Sequence, residues 1–120
     1  MLKLVFVVIV ASLILTACPP PNRDINPAGL KVPLITSDLV QALPGRPLDR
    51  CTIKAHIQTE RSFPCLSTEE LNNMIRNRAA EAGGNCVILT TYIEEVGECA
   101  HAARGIVLSC PEEALKAAAL

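Results

Sequence analysis

The placement of cysteine constrains this chain most. After residue 18, cysteines stand at 51, 65, 86, 99 and 110, spread through nearly everything that remains. In a small exported domain, cysteines spaced this way become disulfides, and the fold must bring distant residues within bonding range. Five is odd, so at least one thiol stays free or pairs between chains. Spacing alone leaves many pairings open.

Whether the chain is exported is read from its first residues. Lys3 supplies a small positive region, and every residue from Leu4 to Leu15 is apolar except Ser12. A membrane-spanning helix needs about 20 apolar residues, so this shorter run reads as the apolar part of a signal peptide. The run closes on Leu15-Thr16-Ala17-Cys18, which resembles the bacterial lipobox, where a small residue precedes the cysteine that receives diacylglycerol. That resemblance implies a signal peptide at 1–17, cleavage between Ala17 and Cys18, and lipidation of Cys18. The alternatives are an ordinary secretory signal with an incidental Cys18, and an uncleaved anchor helix. Pro19-Pro20-Pro21-Asn22-Arg23-Asp24 favours the lipid anchor, because it cannot continue a helix and suits an extended leash. Residues 18–30 are accordingly read as the lipidated cysteine and a Pro-rich tether.

Cleavage leaves roughly a hundred residues, enough for one small domain. That domain spans 31–111 and is followed by a tail at 112–120. Phe63 and Tyr92 are its only aromatics, so its core lacks aromatic bulk. The formal net charge of the whole chain is −1, and removing Lys3 makes the mature part more acidic. With no basic stripe, nucleic acid is not an expected partner.

Local patterns set the elements. Lys31 to Ile35 reads as a short edge strand, since Pro33 cannot donate to a ladder. Ser37 to Leu43 reads as a short helix or turn ended by Pro44-Gly45. Cys51 to Ile57 alternates as a half-buried strand, and 58–66 as a polar loop. Ser67 and Glu70 form a capping box. Leu71, Met74, Ile75, Arg78, Ala79 and Ala82 then make one helical stripe, interrupted by an arginine stem, and Gly83-Gly84 ends it. Asn85 to Ile93 is a mostly apolar central strand, Glu94 to Ala100 an acidic loop, and Arg104 to Cys110 the last strand. Glu112 to Leu120 is at most a short, poorly anchored helix. The expected class is α+β: a small, mostly antiparallel sheet with one main helix on one face, stapled by disulfides.

That architecture narrows the bridges. If 51–57 lies antiparallel to 104–110, facing residues have numbers with a nearly constant sum. Cys51 with Cys110 and Cys65 with Cys99 fit one such register, one bridge at each end of the ladder. Cys99 with Cys110 does not: an extended stretch of that length, at about 3.3 Å per residue, far exceeds the roughly 6 Å a disulfide spans. Cys51 with Cys65 has a milder form of the same problem. Cys86 is left as a free, buried, small apolar residue at the start of the central strand.

The stretch Ile75-Arg76-Asn77-Arg78-Ala79-Ala80-Glu81-Ala82-Gly83-Gly84-Asn85 resembles the helix-end motif of the small bacterial envelope lipoproteins grouped as domain of unknown function 4156. Cys51, opening a strand, and Cys110-Pro111, closing the last one, match the family's two cysteine positions. The resemblance covers roughly residues 30–111 plus the signal. A wider similarity reaches the Rcs-system stress-sensor lipoproteins, whose bridges are structural; Cys65 and Cys99 sit where one of those falls. Tyr92 stands where those sensors have another bridging cysteine, and their long Pro-rich linker is absent. The resemblance implies a fold and an envelope location, with almost no biochemistry.

The functional expectation is a non-catalytic, membrane-anchored envelope lipoprotein that binds or braces an envelope protein; an envelope-stress accessory is the alternative. A monomer without cofactor is expected. An enzyme reading would use Cys86 as nucleophile with His56 or His101 as base, but no glycine-rich turn surrounds Cys86 and its apolar neighbours suggest an inert thiol. A metal reading would use Cys99, His101 and His56, yet no paired-ligand spacing exists. Glu94, Glu95 and Glu98 lack the spacing of a calcium loop and read as a solvated loop. Arg76 and Arg78 read as helix surface. Pro19 differs from the common aspartate retention signal, which points to the outer membrane, facing the periplasm.

Overall fold

The computed structural model describes residues 23–120. In chain order these form α1 (Pro27–Leu30), β1 (Leu34–Thr36), α2 (Ser37–Ala42), a 3-10 turn (Pro47–Arg50), β2 (Thr52–Gln58), β3 (Leu66–Ser67), α3 (Thr68–Glu81), β4 (Cys86–Ile93), β5 (Cys99–Ala100), β6 (Ala102–Ser109) and α4 (Glu112–Ala117). The signal at 1–17, Cys18 and the first tether residues lie outside the described residues. Four strands make one sheet in the order β1-β4-β6-β2, and β3 pairs with β5 in a separate ribbon. Only the β1–β4 pairing is parallel. The class is α+β, mostly antiparallel, with α3 as the main helix.

The start and stop of α3 are written locally. The Ser67 hydroxyl accepts the Glu70 N–H at 3.2 Å, which satisfies one free N–H of the first turn, and donates to the Glu70 carboxylate at 3.1 Å. At the other end the Gly83 N–H reaches the Ala80 carbonyl and the Gly84 N–H reaches the Ala79 carbonyl, both at 3.0 Å. Gly83 has φ +80°, the left-handed turn that closes such a pair of bonds. Gly84 is needed for a different reason: a Cβ there would lie 2.3 Å from a Val107 methyl.

Alternation along the inner strands gives the sheet two apolar faces. Val87, Leu89 and Val107 point to one face and meet Leu71, Ile75 and Ala79 of α3. Cys86 and Leu108 point to the other, with Ile35, Leu48, Cys110, Ala114 and Ala118. Ala100, Ala102 and Ala103 are fully buried, so close backbone approach replaces the missing aromatic bulk.

Three expectations are corrected. Residues 23–30 are not tether: Asn26 caps α1, accepting the Gly29 N–H at 2.7 Å, and α1 packs on α3. Residues 112–120 do hold a short helix, but not a poorly anchored one: α4 buries Ala114 fully and Ala118, just after it, is 5% exposed, covering the face opposite α3. The first strand lies at Leu34–Thr36, one step past Pro33, with Pro33 contributing only its carbonyl, which accepts the Val87 N–H. The strand expected at 51–57 is β2, an edge of the sheet: Ala55 and Ile57 are partly buried against the α3 face, while Ile53, before the slip in pairing with β6 at Lys54, is exposed; that bulge is of the kind that discourages edge-to-edge association.

Candidate functional site

The β2–β6 ribbon is pinned at both ends. Thr52 faces Ser109, so Cys51 and Cys110 are the next pair outward, bridged with Cα atoms 4.3 Å apart. Asn85 fixes the same corner. Its side-chain amide donates to the Cys110 carbonyl and its side-chain oxygen accepts the Cys110 N–H, each at 2.8 Å. Asn85 thus uses its side chain as a strand residue would use its backbone, which ties the helix-end motif to the final Cys-Pro.

The far end is built from the loop after Gln58. Thr59 continues the ladder, exchanging its N–H and hydroxyl with Ala103 at 3.0 Å each, and the Ser62 N–H reaches the His101 carbonyl at 2.9 Å. Thr59 is 1% exposed, and its hydroxyl accepts the Ala103 N–H. This extension delivers Cys65 to Cys99, bridged with Cα atoms 5.5 Å apart. Beyond the bridge is a tip. Phe63 stacks on His101 with ring centroids 4.5 Å apart, His101 Nδ1 donates to the Ser62 carbonyl at 2.6 Å, and Glu94 meets Arg61 and, at 3.8 Å, His101 Nε2. Phe63 is 70% and Val96 76% exposed.

Cys86 carries a free thiol and is fully buried. Burial pushes the thiol from 9.0 up to about 11, against the opposing effect of a hydrogen bond from the Val87 backbone. His56 lies on β2, two strand spacings of about 4.8 Å from β4, with β6 between. His101 lies past the opposite end of β6. The nucleophile and base of the enzyme reading are not brought together. Cys99 is in a bridge, and among the described residues no three His, Cys, Asp or Glu side chains converge as metal ligands. Glu94 is engaged with Arg61 and His101 rather than pooled with Glu95 and Glu98.

Arg76 and Arg78 do more than coat the helix. Arg76 donates to the Val32 and Leu30 carbonyls at 2.8 and 3.0 Å, and Arg78 to the Gln58 carbonyl at 2.7 Å. Sequence reasoning missed Asn77, which is 5% exposed and donates to the Asp24 carbonyl at 2.8 Å while accepting the Asn26 N–H at 3.0 Å. A polar residue beside the apolar stripe was its only signal.

Open clefts mark the surface of the described residues. One of about 340 Å³ lies between Val40, Leu48 and the Arg46–Asp49 ion pair. Another, of about 220 Å³, lies beside Asp38, Thr91, Tyr92 and Glu95. The Tyr92 hydroxyl there donates to Asn72 at 2.7 Å; burial raises its pKa, the Asn72 bond lowers it and Glu95 raises it. No helix among the described residues is long and apolar enough to cross a membrane. Set against family models, curated proteins and solved structures, the chain matches none.

Proposed function

We propose that this chain is a non-catalytic lipoprotein of the bacterial cell envelope. Lipid on Cys18 holds it to a membrane, the outer membrane facing the periplasm, and its braced domain binds or supports another envelope protein. The carrying observation is Leu15-Thr16-Ala17-Cys18 closing a short apolar run, ahead of a domain in which four of the five other cysteines form two bridges. Disulfides persist in oxidising compartments outside the cytoplasm, which fits export. Kinship with the lipoproteins of domain of unknown function 4156 is part of the same reading. Its support is that Gly83-Gly84-Asn85 and Cys110-Pro111 meet through the paired Asn85–Cys110 hydrogen bonds.

The test is non-reducing peptide mapping by mass spectrometry of protein extracted from membranes. An acylated Cys18 at the amino terminus supports the reading. An intact signal, or cleavage elsewhere with an unmodified Cys18, overturns it.

A further inference from the structure

The chain enters the domain at the end that carries the exposed apolar tip. The Arg23 carbonyl accepts a bond from Asn73 at 3.3 Å, and its guanidinium lies 3.8 Å from Glu70, in the first turn of α3. That turn follows Ser67, which faces Cys99 across the β3–β5 ribbon. From Asn26 back to Arg23 the chain runs from Asn77 toward the start of α3, that is, toward the Cys65–Cys99 bridge. Between Cys18 and Arg23 there are five peptide links, which span at most about 18 Å when fully extended. A lipid on Cys18 therefore keeps this end, and not the Cys51–Cys110 end, near the bilayer.

At this end Phe63 and Val96 stand out with 70% and 76% exposure. A phenylalanine ring and a valine left this far in water forgo apolar burial that a contact at this end would supply. The surrounding charge selects the kind of surface. The two loops that carry Phe63 and Val96 hold Glu60, Glu94, Glu95 and Glu98 against Arg61, with Arg78 beside Glu60 and His101 beside Glu94; these loops are net acidic, so anionic headgroups are repelled and net-neutral ones are accepted.

We propose that the Phe63–Val96 tip rests in the headgroup region of the bilayer that holds the chain's own lipid, fixing the domain's orientation with the Cys51–Cys110 end outward. The proposal rests on the lipid-anchor reading above. The contact is with zwitterionic lipid, and its aromatic member sits where such rings favour the membrane–water boundary.

The chain has no tryptophan, which allows a clean test on the full lipidated protein. Phe63→Trp, Val96→Trp and Ile53→Trp are each incorporated into vesicles of phosphatidylcholine and phosphatidylethanolamine. Ile53 is 56% exposed but faces Leu108 at the other end of the ribbon, about 20 Å along the strands from the tip. The expected result is a blue-shifted emission at 63 and 96 that brominated lipids quench, with no shift or quenching at 53. Adding phosphatidylglycerol at low salt weakens the quenching, and salt restores it. Vesicle flotation separates the two readings. Protein that floats with unquenched tryptophan at 63 and 96 overturns the tip contact alone. A blue shift at 63 that depends on protein concentration and not on lipid assigns the tip to a second copy and also overturns it. Protein that does not float overturns the anchor, and the tip contact with it.

Discussion

The Asn85 side chain and the Cys110 backbone exchange two hydrogen bonds of 2.8 Å, so an amide at the start of β4 completes the end of β6. Asn85→Ala removes both and strands two part-buried backbone groups. The expected cost is about 2–3 kcal/mol, read as a lower denaturant midpoint with both bridges intact. Asn85→Asp keeps the acceptor but sets an oxygen against the Cys110 carbonyl, so it recovers little. An unchanged midpoint in Asn85→Ala refutes the structural role.

Asn77 performs a similar task for the amino-terminal segment, and its loss is local. In Asn77→Ala the Asp24 carbonyl and Asn26 N–H lose their partner. A destabilisation of about 1–3 kcal/mol is expected, with faster hydrogen exchange over Asn26 to Val32 and unchanged protection in α3. Protection at Asn26 that matches the parent chain counts against it.

The bridges close stretches of 59 and 34 residues. The chain-entropy model gives about 4 kcal/mol for each. Small domains are stable by only about 5–15 kcal/mol, so reduction brings this one close to unfolding. Melting followed by far-UV dichroism in strong reductant should fall well below that of the oxidised protein. Identical curves dispose of the idea.

Alkaline stability should report Cys86. The unfolded thiol releases its proton near pH 9, whereas the fold holds it to about pH 11. Its contribution is therefore fully present below pH 9 and is lost as pH rises through 11, by about 2–3 kcal/mol in total. Tyr92, also raised, adds a loss of the same sign that begins above its ordinary value of 10.0. Cys86→Ala should flatten the slope between pH 9 and 11. The native thiol should also resist iodoacetamide, and deleting residues 112–120 should expose it, because Ala114 and Ala118 of α4 share its apolar cluster. Rapid labelling of the full-length native chain contradicts this burial.

Elements governed by local chemistry were legible in the sequence. Ser67, Glu70 and Gly83-Gly84 set the ends of α3 through bonds to their own neighbours. The apolar run at 85–93 set the central strand, and the antiparallel register of 51–57 with 104–110 then set both bridges. What escaped reading depended on single long-range contacts. Residues 23–30 dock through Asn77 and Arg76, whose polarity gives no periodic signal. α4 docks through two alanines, too small to stand out in an alanine-rich end. The edge position of β2 follows from strand order, which its alternation does not encode. At the tip, Phe63 and Val96 come from two loops separated by α3 and β4, and only the Cys65–Cys99 bridge shows that they share one end.

The two bridges also define a load path. Residues 51–65 and 99–110 form a covalent circuit closed by Cys51–Cys110 and Cys65–Cys99, from which 66–98 hangs as a loop. The segment 23–50 lies outside that circuit, held by the Asn73, Asn77 and Arg76 clamps and a three-residue parallel pairing. Tension applied at the amino-terminal side peels α1 and then β1, and halts at Cys51 after releasing on the order of 90 Å of chain. Under pull, the leash lengthens before the ring yields.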